Sequence, residues 1–242
     1  LEHRQGLWEP SYLPQTRLMG CMPFLVDVGC GAGWYVYHWN RRRSLAFGIE
    51  PSLSARLASP VPQFLFKNWN EVDAAFRERA GLSPSGQEGH LHASLRAALV
   101  LEHLPDPRGF LAECHEHLHR EGRLLVIMPN EFNPLQKRIN RGAHKDWFVA
   151  EPHVNYFTPQ SLRGLLRSCG FRVVHETSTF PMELFVLAGR DYRGNEDVGR
   201  ACHMARLRFE KALGPLAFAI YRLLYRQFRW GRELVFIVER KD

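Results

Sequence analysis

The chain has 242 residues, 45% of them hydrophobic and 12% aromatic, a composition that excludes a disordered tract and supplies one domain with a sizeable core. No apolar run reaches the roughly 18–20 residues that span a bilayer, and nothing at the amino end reads as a signal peptide. The net charge of +7 admits an anionic partner (RNA, an acidic sugar, a nucleotide-linked substrate or a lipid surface) without choosing among them.

Residues 1–20, rich in Pro, Tyr, Trp and Arg, read as a cap. Leu25 to Val28 read as an apolar strand carrying an acid, Asp27, that runs into Gly29, Gly31 and Gly33 at alternate positions. Such glycines let the backbone turn sharply and let a ligand lie against it without meeting a Cβ. The dinucleotide fingerprint G-x-G-x-x-G fails in both registers, because its third glycine would fall at Trp34 or Val36. A second strand from Ser44 ends at Glu50, about 20 residues beyond the loop, where a carboxylate can accept from two adjacent ribose hydroxyls. Gln63 to Lys67 reads as the third strand, followed by Asn68-Trp69-Asn70-Glu71.

A Gly-, Ser-, Pro- and Gln-rich loop, 81–89, leads to the run Leu99-Val100-Leu101-Glu102-His103-Leu104-Pro105-Asp106-Pro107. A helix from about Arg108 to His119 and an apolar strand from Arg123 to Met128, closed by Pro129-Asn130, come next. After a basic stretch, Lys137 to Lys145, Thr158 reads as an N-cap with Pro159 at the first helical position. The helix Gln160 to Cys169 then stops at Gly170, and Phe171 to Thr177 is a strand. One further helix ends at Gly214-Pro215. Another carries Leu216, Ile220, Leu223, Leu224 and Phe228 at helical spacing, accompanied by Arg222, Arg226 and Arg229. This pair reads as a lid packed on its own domain; its basic amphipathic character also admits peripheral membrane contact through 203–230. Glu233 to Glu239 closes the chain as a strand.

Alternating strand and helix patterns imply a parallel sheet covered by helices, with ligands bound beyond the carboxyl ends of the strands. Asp27, Glu50 and Glu102 all fall there. The sequence D-x-G-x-G-x-G at Asp27–Gly33 resembles motif I of the class I S-adenosylmethionine-dependent methyltransferases. The resemblance extends in order from about Phe24 to Val174, through the acid at Glu50, the L-E-H-L-x-D-P run and the P-H-x-x-x-F-T-P-x-S-L run at Pro152–Leu162. The latter resembles small-molecule, O-methyltransferase-like members. The chain departs from the pattern in two places: Arg123 stands where a second glycine is usual, and no F-D precedes the fourth strand.

The resemblance implies an α/β, Rossmann-like fold: a seven-stranded, mostly parallel sheet with helices on both faces and a carboxyl-terminal helical lid insertion. It divides one methyltransferase domain, 1–242, into a cap (1–20), a cofactor-binding core (21–178), the lid (179–230) and a closing strand (231–242). The implied cofactor is S-adenosylmethionine. Asp27 would orient its amino-acid end, the loop Gly29, Cys30, Gly31 and Gly33 would cradle it, and Glu50 would hold the ribose. Trp69 would stack on the adenine or else be a core tryptophan, Asn68 would read the adenine amino group, and Leu101 would border the pocket.

Methyl transfer to oxygen or nitrogen requires alignment and often removal of a proton from the acceptor. Histidine titrates near neutrality and suits that task. His153, in a loop after the fifth strand, is the leading base, and His103 the second candidate. No metal is expected, since no second carboxylate at ligand spacing accompanies Glu102-His103. His115 and His119, four apart, read as a solvated helix face. The five cysteines, at 21, 30, 114, 169 and 202, form no C-x-x-C pair and argue against a disulfide framework. Reduced thiols and a cytoplasmic location are the expectation.

Three functions compete. The first is O-methylation of a small acceptor such as a sugar, a glycan precursor or a quinone. The second is methylation of tRNA or rRNA, supported by charge alone, because zinc-finger, RRM, KH and N-P-P-Y signatures are missing. The third is a catalytically decayed cofactor-binding protein, motivated by the unusual segment Ala80–Ala98.

Overall fold

The computed structural model describes residues 24–41, 45–80, 92–131, 133–140 and 153–241. The expected cap, the loop 81–89 and residues 141–152 lie outside them. The apolar runs become strands of one seven-stranded sheet, ordered β3-β2-β1-β4-β5-β7-β6. The strands are β1 (Phe24–Val28), β2 (Leu45–Ile49), β3 (Leu65–Phe66), β4 (His92–Ala98), β5 (Leu118–Pro129), β6 (Phe171–Ser178) and β7 (Glu233–Arg240). β1 pairs in parallel with β2 and β4, β2 with β3, and β4 with β5. β7 runs antiparallel to both β5 and β6.

Alternation along each strand sends side chains to two cores. Val26, Leu95, Leu124 and Phe236 join the larger one. There they meet Val72 of α3 (Trp69–Ala80), Leu111 of α4 (Pro107–His117) and Leu162 of α6 (Pro159–Ser168). Leu25, Leu125 and Ile237 join the other, with Tyr35 and Val36 of α1 (Trp34–Asn40). Short helices α2 (Leu53–Leu57) and α5 (Pro134–Ile139) follow β2 and β5. Asn133 caps α5, its Oδ1 accepting from the N–H groups of Leu135 and Gln136. The insertion between β6 and β7 contains α7 (Glu183–Leu187), α8 (Glu196–Leu213) and α9 (Pro215–Phe228). Among the described residues no helix is long and apolar enough to cross a membrane.

Several expected boundaries move. Pro62 opens a 3-10 turn, Pro62–Phe64, that shortens β3 to two residues, because proline cannot donate to a ladder. Helix α4 starts as expected, with Asp106 accepting from the N–H of Gly109, but ends at His117. β5 begins at Leu118 and carries Glu121 and Gly122, with a register shift between His92 and Ser94 of β4. His119 is therefore a strand residue and shares no helix face with His115, whose ring packs edge-on against Phe171 at 5.2 Å. In α6 the expected ends hold: Thr158 and Ser161 form a reciprocal capping box, and Gly170 has φ 83.

The buried stripe of α9 also differs from the expected one. It is Ala217, Tyr221 and Tyr225, while Leu216, Leu223 and Phe228 are 57%, 58% and 52% exposed. The tyrosines win the inner face because carboxylates there accept from their hydroxyls: Tyr221 donates to buried Glu210 and Tyr225 to half-buried Glu176. Tyr225 belongs to the larger core, so α9 is laid against the sheet flank beside β6.

Candidate active site

The carboxyl end of β1 turns through the three glycines, each with positive φ: 72°, 55° and 71° at Gly29, Gly31 and Gly33. A Cβ at Gly29 would lie 2.6 Å from Val100, and one at Gly33 2.8 Å from Leu65, whereas one at Gly31 would meet nothing within 4 Å. The first and third glycines are thus demanded by packing, and the middle one borders open space. The N–H groups of Gly29 and Cys30 donate to the carbonyl of Ile49. Glu50 completes the strap: Oε2 accepts from Gly31 N–H at 3.0 Å and Oε1 from Ser52 N–H at 2.8 Å. The Cys30 side chain lies against Gly48, and burial pushes its thiol well above the ordinary range.

The other expected donor-site residues are placed differently. Asp27 is completely buried and its Oδ1 lies 2.6 Å from Nη1 of Arg96, its register partner in β4. The guanidinium also sits 4.0 Å over the Tyr35 ring. Burial raises the Asp27 carboxyl, and Arg96 pulls it back. Asp27 is thereby held beneath the loop through Oδ1, while its Oδ2 is buried without a hydrogen-bond partner. The Trp69 ring stacks on His117 at 4.1 Å and 4°. His117 precedes Leu118, which pairs with the first residue of β4, so the ring is turned toward the amino ends of the strands and away from the glycine loop. Asn68 uses Oδ1 to accept from Glu71 N–H at the start of α3. The side chain of Leu101 is in the core.

The two candidate histidines come together. A 3-10 turn, Leu101–His103, follows β4, and the segment from His153 docks on it. The N–H groups of Val154 and Asn155 donate to the Glu102 carbonyl, and Asn155 Nδ2 donates to the carbonyls of Leu101 and Leu104. The His103 and His153 rings consequently meet at 4.8 Å and 70°. His153 Nδ1 lies 3.6 Å from Oε1 of Glu131, which follows β5. Burial raises the carboxyls of Glu102, to about 7, and of Glu131. It lowers His153, helped by His103 and Arg232, so its imidazole is neutral and able to accept a proton at neutral pH. Glu131 is a member of this candidate site that no sequence motif marks; its position directly after Pro129-Asn130 at the same strand edge is the available signal.

Ligand atoms of Glu102, His103 and His153 all lie within 4.8 Å of one another, close enough to hold a metal ion. No metal was expected because no second carboxylate accompanies Glu102-His103 in sequence; in the fold His153 is the third member of the group, and Glu131 approaches it only through His153. Beside this cluster opens a cleft of about 760 Å³, lined by Asn130, Lys137, Thr158, Arg163, Arg167 and Arg229 among others.

The chain matches a methyltransferase-domain family over residues 23–176. No curated protein matches it in sequence. Solved structures share the fold at low identity. One is an S-adenosylmethionine-dependent methyltransferase from Archaeoglobus fulgidus, with TM-score 0.53 and 15% identity over 94% of this chain and 93% of that one. A second, from Mesorhizobium loti, has TM-score 0.52 and 14% identity over 97% and 100%. A third, the plantazolicin methyltransferase BpumL in complex with S-adenosylhomocysteine, has TM-score 0.55 and 11% identity over 99% and 84%. With the seven-stranded sheet, the open glycine loop strapped by Glu50 and a family match over most of the described core, the chain belongs to the S-adenosylmethionine-dependent class I methyltransferases.

Proposed function

We propose that the chain methylates an oxygen of a small acceptor such as a sugar, a glycan precursor or a quinone, with His153 removing the acceptor proton. The observation that carries this reading is the meeting of His153, His103 and Glu131 at the carboxyl edge of β4 and β5. That is the same edge as the glycine loop.

The donor site fits its cofactor: Gly31 borders space that a Cβ would fill without contact, and Glu50 stands beside it. The sulfonium of S-adenosylmethionine supplies an activated methyl carbon. The chain's own residues must orient the acceptor and take its proton. His153, kept neutral by burial, accepts that proton on its imidazole. Glu131 beside Nδ1 then stabilises the imidazolium. His103 shares the wall and raises the cost of charging His153 until the carboxylate compensates.

The test is calorimetric titration of the chain with S-adenosylhomocysteine, followed by turnover on a panel of sugars and quinones. Micromolar binding should be lost in Glu50→Ala. His153→Ala should keep binding and lose roughly 10²–10⁴-fold in turnover, the scale of general-base catalysis. Unchanged turnover in His153→Ala would remove it as the base.

A further inference from the structure

The cleft beside the acid–histidine cluster has an unusual charge balance. Lys137 projects from α5, Arg163 and Arg167 from α6, and Arg229 from the end of α9. A second hollow of about 290 Å³ shares Arg163 and Arg229 with it and adds Arg222 and Arg226. Among the described lining residues one carboxylate faces these six cations. Glu176 takes Arg163 in a forked pair, with contacts of 3.1 Å from Nε and 2.8 Å and 2.6 Å from Nη2. It also lies 3.6 Å from Arg229 and accepts the Tyr225 hydroxyl. Glu176 thus fixes two guanidinium groups on the wall without neutralising the site. Lys137, Arg167, Arg222 and Arg226 make no ion pair among the described residues.

Solvated arginines on an open face need no ligand. Here they line the walls of two adjoining hollows, and low-dielectric walls focus the field of like charges into a cleft. The cleft also meets the chemistry: Asn130 lines it, while the next residue, Glu131, contacts His153. Thr158, which also lines the cleft, ends the segment that His153 begins.

We propose that this cleft binds a phosphate or diphosphate group carried by the methyl acceptor, so that the acceptor is a phosphorylated small molecule. Guanidinium groups suit that ligand because their planar donors match phosphate oxygens in pairs. Arg163 and Arg229 form the prearranged part of the site, Lys137 and Arg167 add charge at its mouth, and the hydroxyl to be methylated then projects toward His153. The phosphate subsite stands on the cleft itself; its role in placing an acceptor rests on the methyl-transfer reading above.

The experiment is calorimetric titration of the full chain with inorganic pyrophosphate at low ionic strength, against the double variant Lys137→Ala/Arg167→Ala. Both residues are exposed, so the fold should survive their loss. Wild type should bind pyrophosphate at submillimolar concentration, and the double variant at least tenfold more weakly. Glu50→Ala should bind pyrophosphate as wild type does while losing S-adenosylhomocysteine. That pattern separates the cleft from the donor site: pyrophosphate binding by a chain that ignores S-adenosylhomocysteine would sink the methyl-transfer reading and leave the subsite standing. Tighter binding of uridine diphosphate than of pyrophosphate would support a nucleotide-linked acceptor. Selective binding to vesicles doped with an isoprenyl diphosphate would support a lipid-linked one. Equal pyrophosphate affinity in wild type and double variant would overturn the proposal. So would tight, steeply salt-dependent binding of an RNA oligonucleotide that pyrophosphate does not displace.

Discussion

The glycine loop and the acid–histidine cluster occupy one edge of one sheet, yet they are finished to different degrees. In the loop, the N–H groups of Gly29, Cys30 and Gly31 all have acceptors, and both Glu50 oxygens have donors. In the cluster, Glu102 Oε2, Glu131 Oε2 and His153 Nδ1 are buried without a hydrogen-bond partner. Buried polar atoms are normally paired, and an unpaired one costs stability. The loop is therefore internally satisfied, whereas the cluster retains unpaired polar atoms, as the proposed acceptor site requires.

The comparison breaks first at its foundation. Arg96→Met leaves the Asp27 carboxylate buried beneath the loop without its partner, and should cost about 3–5 kcal/mol in denaturant unfolding. Adding Asp27→Asn should recover much of that loss; a single variant as stable as wild type would show that the pair does not support the cradle.

A smaller effect separates the glycines. Gly33→Ala meets both backbone strain and Leu65, and should destabilise by about 2–3 kcal/mol, since a left-handed backbone alone costs an L-residue roughly 1–2 kcal/mol. Gly31→Ala meets only the strain, but places a methyl group where the cofactor lies, so it should weaken S-adenosylhomocysteine binding more than Gly33→Ala weakens the fold. Equal unfolding midpoints for the two variants would contradict the packing argument.

The smallest effect sharpens the cluster. Glu102 has a carboxyl raised to about 7 in the fold, from an ordinary 4.5. Between those values the folded chain keeps a proton that the unfolded chain releases, so stability falls as pH rises from about 4.5 to about 7 and changes little beyond. Glu102→Gln should flatten that slope in thermal unfolding and raise the melting temperature at pH 8. An unaltered slope would show that Glu102 is not the group responsible.

The donor half was legible because its parts are near in sequence: strand, glycines, strand and acid follow one another from Leu25 to Glu50. Arg96 escaped notice because an arginine inside a buried strand makes sense only once β4 lies beside β1 and brings Asp27 opposite it. Position after the third strand leaves Trp69 open to the adenine or to the core, and only the fold shows its ring stacked on His117. On α9, spacing alone marked the leucines as the inner face, yet hydrogen bonding by Tyr221 and Tyr225 turned the helix.

Local pattern by itself determined the order of strands and helices, the glycine loop and the candidacy of His103 and His153. These follow from hydrophobic period, turn chemistry and residue type, all properties of short windows. Only the tertiary structure decided that the two histidines meet, that Glu131 joins them, that Asp27 pairs with Arg96 and that six cations line two adjoining hollows. Each of these depends on contacts between residues far apart in the chain, where burial and charge are set by what packs opposite and not by what comes next.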